Sequence, residues 1–182
     1  MTCIVALEHK GLSYIGSDSF MGNANTRDIT VRPKLFAKGE RFVIGFAGSF
    51  RGAQLVEYGI SFRKIKAKED EESYLVTEVA KKIQQGFALA RINFTNEDGN
   101  DSSDACFLMC VRGKVFLMQK DYSVVRSRNG FATLGAGQDC ASGALSAMAR
   151  TKLEPKEKLF RALSIAAELS PLVCDPFHII EV

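Results

Sequence analysis

The stretch "ACFLMCVRGKVFLMQ", residues 105–119, constrains the fold more than any other part of the chain. Its two apolar runs meet at Arg112-Gly113, the pattern of a tight β-hairpin. A strand with one wet face alternates apolar and polar residues. These runs barely alternate, so both faces of their sheet are expected to be covered. Such a sheet needs a layer on each side.

The other segments supply those layers. "TCIVALEHKGLSYIGSD" reads as a hairpin turning at His9-Lys10-Gly11, and "KLFAKGERFVIGFAG" as a second, turning at Gly39. "FRGAQLVEYGISFRKI" predicts a helix, with Leu55, Gly59 and Phe62 on one stripe. A stronger helix is predicted from about Glu72 to Asn93, where Leu75, Val79, Ile83 and Phe87 recur every four residues. "NEDGNDSSD" predicts a polar surface loop, since it lacks the central Gly and terminal Glu of a calcium loop. "SVVRS" and "GFATLGAG" are expected to continue the hairpin sheet. "QDCASGALSAMAR" and "EPKEKLFRALSIAAELS" predict two more helices, the second with Pro155 in its first turn, where a missing N–H costs nothing. "PFHIIEV" closes as a short strand. An α+β fold in which two face-to-face sheets each carry a helix pair, a four-layer αββα sandwich, accommodates this order.

With 182 residues, the chain is expected to form one domain spanning 1–182. Its net charge of +3 is small and scattered; Lys64, Lys66 and Lys68 are answered at once by Glu69, Asp70, Glu71 and Glu72. No nucleic-acid or membrane role is expected from such a distribution. No apolar run approaches the ~18 residues of a membrane span, and Glu8, His9 and Lys10 interrupt the N-terminal apolar stretch, so no secretory leader is expected. Five cysteines, an odd number, fit reduced thiols and a cytoplasmic location. Cys106 and Cys110 have no partner pair at metal-ligand spacing and are expected to be buried strand residues.

The opening "MTCIVALE" raises the chemical question. Removal of the initiator Met, favoured by a small second residue, leaves Thr2 with its own α-amine beside its hydroxyl. A threonine hydroxyl is a weak nucleophile until a base takes its proton. An α-amine, with an ordinary pKa of about 7.7–8.0, is such a base at neutral pH. This route needs no histidine, and the chain has only His9 and His178; the latter is read as structural. No Gly-x-Ser-x-Gly elbow and no His-Glu-x-x-His occurs. The amine still needs a nearby cation to lower the hydroxyl pKa and a carboxylate to hold that cation. Asp18, in "GSDS", ends the strand pairing with the first one. Lys34, in "RPKLF", opens the next strand. Gly48, in "GFAGS", precedes a predicted helix, where its N–H is placed to donate to an oxyanion.

Together these segments resemble the proteasome β-type threonine peptidases, and among them the bacterial HslV peptidase. The resemblance runs nearly the whole length, through "TCIVALEHKGLSYIGSDS", "RPKLF", "RFVIGFAGSFRGAQLVEY", "ATLGAGQDCASGAL" and "RALSIAAELS…PFHIIEV". It implies an N-terminal-nucleophile hydrolase: Thr2 as nucleophile and base, Lys34 lowering the hydroxyl pKa, Asp18 orienting Lys34, and Gly48 N–H as oxyanion donor. It also implies a homo-oligomer of stacked rings, unfolded polypeptide substrates and an ATP-dependent unfoldase of HslU type. No cofactor and no metal are expected. Two departures stand out. Ala136 replaces the family's serine in the glycine-rich turn, an absence expected to slow the reaction rather than abolish it. Pro171 and a one-residue insertion disturb the segment whose carbonyls, at Ala167, Ser170 and Val173, correspond to a monovalent-cation site in HslV.

Two other functions fit the same residues. One is a small-amide hydrolase of related fold using Cys3, which requires removal of Thr2 as well as Met1. The other is a catalytically weak or silent ring subunit, with Ala136 marking the drift. Phe20 and Met21 are weighed as pocket walls against simple packing.

Overall fold

Alternation of side chains along the strands decides which layer each residue enters. The computed structural model describes residues 2–22, 25–95 and 101–182. In chain order its elements are β1 (Cys3–His9), β2 (Leu12–Ser17), β3 (Phe20–Gly22), β4 (Arg27–Ile29), β5 (Leu35–Gly39), β6 (Phe42–Gly48) and α1 (Phe50–Gln54), which continues as a π-helical turn (Leu55–Gly59). Then come α2 (Glu71–Tyr74), a π-helical segment (Leu75–Ala80), α3 (Lys81–Leu89), β7 (Asn93–Thr95), β8 (Asp101–Ser103), β9 (Ala105–Val111), β10 (Lys114–Met118), β11 (Val124–Val125) and β12 (Phe131–Gly135). The chain ends with α4 (Gln138–Met148), α5 (Pro155–Leu169) and β13 (His178–Glu181). The fold is α+β.

One antiparallel sheet has the order β12-β1-β2-β13, and the other β11-β10-β9-β6-β5. On β9, Phe107, Met109 and Val111 pack with residues of the 50–89 helices, including Val56, Leu75, Ile83 and Phe87. The intervening Leu108 and Cys110 pack instead with Ile4, Ala6 and Ile15 of the other sheet. On β1, the odd residues Cys3, Val5 and Leu7 meet Ala141, Leu145, Leu159 and Leu163 of α4 and α5. The unalternating hairpin thus has both faces covered, and each large aliphatic or aromatic side chain buried this way contributes about 1.5–3 kcal/mol. The sheets approach closely: a Cβ on Gly45 would lie 2.7 Å from Ile4 Cγ2 and 3.2 Å from Ile15 Cδ1 of the facing sheet.

Two of the hairpin turns use positive φ at both centres, Lys10-Gly11 (48° and 78°) and Arg112-Gly113 (49° and 81°), matching the twist of the flanking strands. The β5–β6 turn falls one step later than expected, on Glu40-Arg41. The helix expected through residue 65 stops at Gly59. There the Lys38 ammonium donates to the carbonyls of Val56, Glu57 and Ile60 at 2.9, 3.1 and 2.7 Å, satisfying acceptors that a longer helix would have used. The stronger helix runs over 71–89, four residues short of the expected end, and its predicted stripe of Leu75, Val79, Ile83 and Phe87 is fully buried. β12 leaves the hairpin sheet it was expected to continue and pairs with β1, Cys3 opposite Gly135. Most of the expected polar loop, residues 96–100, lies outside the described residues. Asp101–Ser103 is a strand paired with β7, where Ser102 and Ser103 are buried.

Candidate active site

The register of β1 and β2 brings Asp18 to the start of β1. Ile4 pairs with Ser17, so the next step outward sets Asp18 opposite Cys3. The Asp18 N–H donates to Cys3 O at 3.1 Å, and the Cys3 N–H returns the bond to Asp18 Oδ1 at 2.8 Å. Lys34, immediately before β5, donates from Nζ to the same Oδ1 at 2.8 Å. Phe20 N–H holds Oδ2 at 3.0 Å. Lys34 is fixed in turn by its own carbonyl, which accepts the Phe46 N–H at 3.2 Å. One carboxylate oxygen therefore bridges the lysine ammonium and the amide that joins Thr2 to Cys3. Thr2 is 2% exposed, and Asp18 and Lys34 are 0% exposed.

Burial sets the electrostatics. It pulls the Lys34 ammonium below the ordinary lysine range, with the Asp18 carboxylate opposing the shift. The Cys3 thiol is pushed up to about 12, first by burial and then by Asp18. A thiol so protonated is a poor nucleophile. Burial likewise raises the Cys174 thiol.

Two glycines shape the rim. Gly135 has φ +97°, and a Cβ there would stand 2.2 Å from Thr2 O and 3.4 Å from Ala47 Cβ. Only glycine permits that approach. Continuing the Cys3–Gly135 register places Ala136 opposite Thr2. Gly48, next to Ala47, ends β6 with φ +96°, and a Cβ on it would lie 1.8 Å from Asp104 O. Ser49 then caps α1, its hydroxyl accepting the Gly52 N–H at 3.1 Å. The four residues singled out from sequence thus converge on one end of the molecule, at strand termini from both sheets.

Other sequence readings resolve individually. Phe20 is a core side chain, whereas Met21 is exposed. His178 pairs with Ser17 in the edge strand. The Ser170 carbonyl accepts the Val173 N–H at 3.3 Å, and among the described residues no cluster of three or more His, Cys, Asp or Glu side chains is placed to hold a metal ion. No helix among the described residues is long and apolar enough to cross a membrane. Sequence reasoning missed Ser19 and its partners at 174 and 176, which lie behind Asp18.

No family model and no curated protein matches the chain. By structure it is similar to BPH of Thiobacillus denitrificans, with a TM-score of 0.84 and 16% identity over 100% of this chain and 97% of that one. BPH in complex with epoxomicin gives a TM-score of 0.80, again at 16% identity, over 100% and 98%. HslV from Trypanosoma brucei gives 0.70 at 16% identity, over 99% and 98%. The chain has the HslV/proteasome-like fold.

Proposed function

We propose that the chain is a threonine-type peptidase subunit, one domain over 1–182 with the four-layer αββα architecture, that cleaves peptide bonds with Thr2 after loss of Met1. The observation that carries this reading is the Asp18 oxygen shared between Lys34 Nζ and the Cys3 N–H, which fixes a buried cation beside residue 2. In the reaction, the Thr2 hydroxyl attacks the substrate carbonyl carbon while the Thr2 amine takes its proton. Lys34 stabilises the forming alkoxide, and Asp18 holds Lys34. The Gly48 N–H donates to the oxyanion, a contribution of about 10²–10³ in rate. Collapse of the tetrahedral intermediate expels the leaving amine, which takes the proton, and water then hydrolyses the Thr2 ester. Ala136 offers no hydroxyl opposite Thr2. The absence of one bond to a charged or reacting group, worth about 1.5–3 kcal/mol, makes this a slow enzyme.

The same reading includes assembly into homo-oligomeric stacked rings in the cytoplasm, an HslU-type unfoldase as partner, and unfolded polypeptides as substrates. The test is hydrolysis of short fluorogenic peptides with and without epoxomicin, the ligand named in the BPH complex. Hydrolysis that epoxomicin stops is the expected result. Absence of hydrolysis in the assembled protein, or hydrolysis indifferent to epoxomicin, overturns the reading.

A further inference from the structure

Asp18 sits in a two-residue link between β2 and β3, and Ser19 is the other member of that link. Ser19 is 0% exposed, and each of its three polar groups is spent outside its own hairpin arm. Its hydroxyl donates to Pro176 O at 2.6 Å. Its N–H donates to Cys174 O at 2.9 Å, and its carbonyl accepts the Thr30 N–H at 2.9 Å. The next amide, Phe20 N–H, is the one that holds Asp18 Oδ2. The same 173–176 segment leans on the turn opposite Thr2, since a Cβ on Gly137 would lie 2.8 Å from Val173 Cγ2 and 3.0 Å from Cys3 Sγ. One stretch of chain therefore braces the glycine turn and, through Ser19, the aspartate arm.

We propose that Ser19 is a positioning residue for the reaction at Thr2: its hydroxyl and amide pin the Asp18 carboxylate against the segment after α5, keeping Lys34 beside residue 2. This rests on the peptidase reading above. Ser19 touches no reacting atom, so its effect must pass through Asp18 to the charge on Lys34. The titratable groups facing Lys34 include Asp18 from the end of β2, Cys3 from β1 and Cys174 from the segment after α5; Arg27 of β4 acts on Cys174. Both thiols are raised by burial, and Asp18 gives the ammonium its largest support. When Asp18 is less well held, that support weakens and Lys34 loses its proton at lower pH. Activity that needs the charged lysine then falls off earlier on the alkaline side.

The experiment measures kcat and KM against pH for the full-length protein and for Ser19→Ala, with epoxomicin labelling of Thr2 in the wild type as control. Ser19→Ala is expected to lower kcat by about ten-fold with KM nearly unchanged, and to move the alkaline limb to lower pH. Ser19→Cys, which keeps a weaker donor, is expected to fall between the two and carries the test should the alanine variant fail to fold. A pH profile superimposable on the wild type overturns the proposal, whatever the loss of amplitude. A wild type labelled at Thr2 with unshifted Ser19 variants defeats the positioning role alone; a wild type unlabelled at Thr2 defeats both it and the peptidase reading.

Discussion

Lys34→Met is expected to lower kcat/KM by about 10³-fold or more and to reduce stability by about 3–5 kcal/mol. Methionine keeps the length and the apolar stem of the side chain, so the packing around residue 34 is largely conserved. What disappears is the ammonium 2.8 Å from Asp18 Oδ1. The carboxylate that remains is fully buried, with only the Cys3 and Phe20 amides donating to it among the bonds described above. Breaking one side of a buried pair is costlier than deleting both, because an uncompensated charge stays behind. The double variant Lys34→Met/Asp18→Asn should therefore regain most of the stability while remaining inactive. Denaturant unfolding and peptide hydrolysis separate the two effects. A single variant with wild-type activity would remove Lys34 from the mechanism.

Gly48→Ala is expected to be nearly as severe. The backbone at φ +96° disfavours any residue with a Cβ, and that Cβ would occupy space 1.8 Å from Asp104 O, a backbone atom of the β8–β9 link. The strand end has to move, at a cost of about 3 kcal/mol or more, and the Gly48 N–H, the proposed oxyanion donor, moves with it, an expected loss of about 10²–10³ in rate. Gly143, inside α4 with nothing within 4 Å of its would-be Cβ, is the control. Gly143→Ala should leave activity intact and stabilise the helix by about 0.5–1 kcal/mol. Thermal unfolding of the two variants side by side reads the difference.

The parts legible in the sequence are those encoded locally. Unbroken apolar runs gave the hairpins and the doubly covered sheet. The four-residue stripe at Leu75, Val79, Ile83 and Phe87 gave the principal helix facing β9. Thr2, Asp18, Lys34 and Gly48 could be singled out as candidates because each lies at the end of a strand that could be recognised, and because their chemistry is incomplete apart. What was not legible depends on distant partners. "GFATL" has no local property stating which sheet it joins; its place beside β1 follows from Gly135 allowing the chain to pass within contact of the Thr2 carbonyl. The early end of the helix at Gly59 depends on Lys38, some twenty residues upstream, reaching two of its carbonyls and that of Ile60 just beyond it. Nothing local marks Ser19, since its partners at 174 and 176 lie at the other end of the chain.

The most direct test is the intact mass of the purified full-length protein before and after epoxomicin treatment, with peptide mapping of any adduct. The account predicts a chain lacking Met1 that gains a single adduct, located on Thr2. A protein that retains Met1, or that hydrolyses peptides while its adduct maps to another residue, would contradict it.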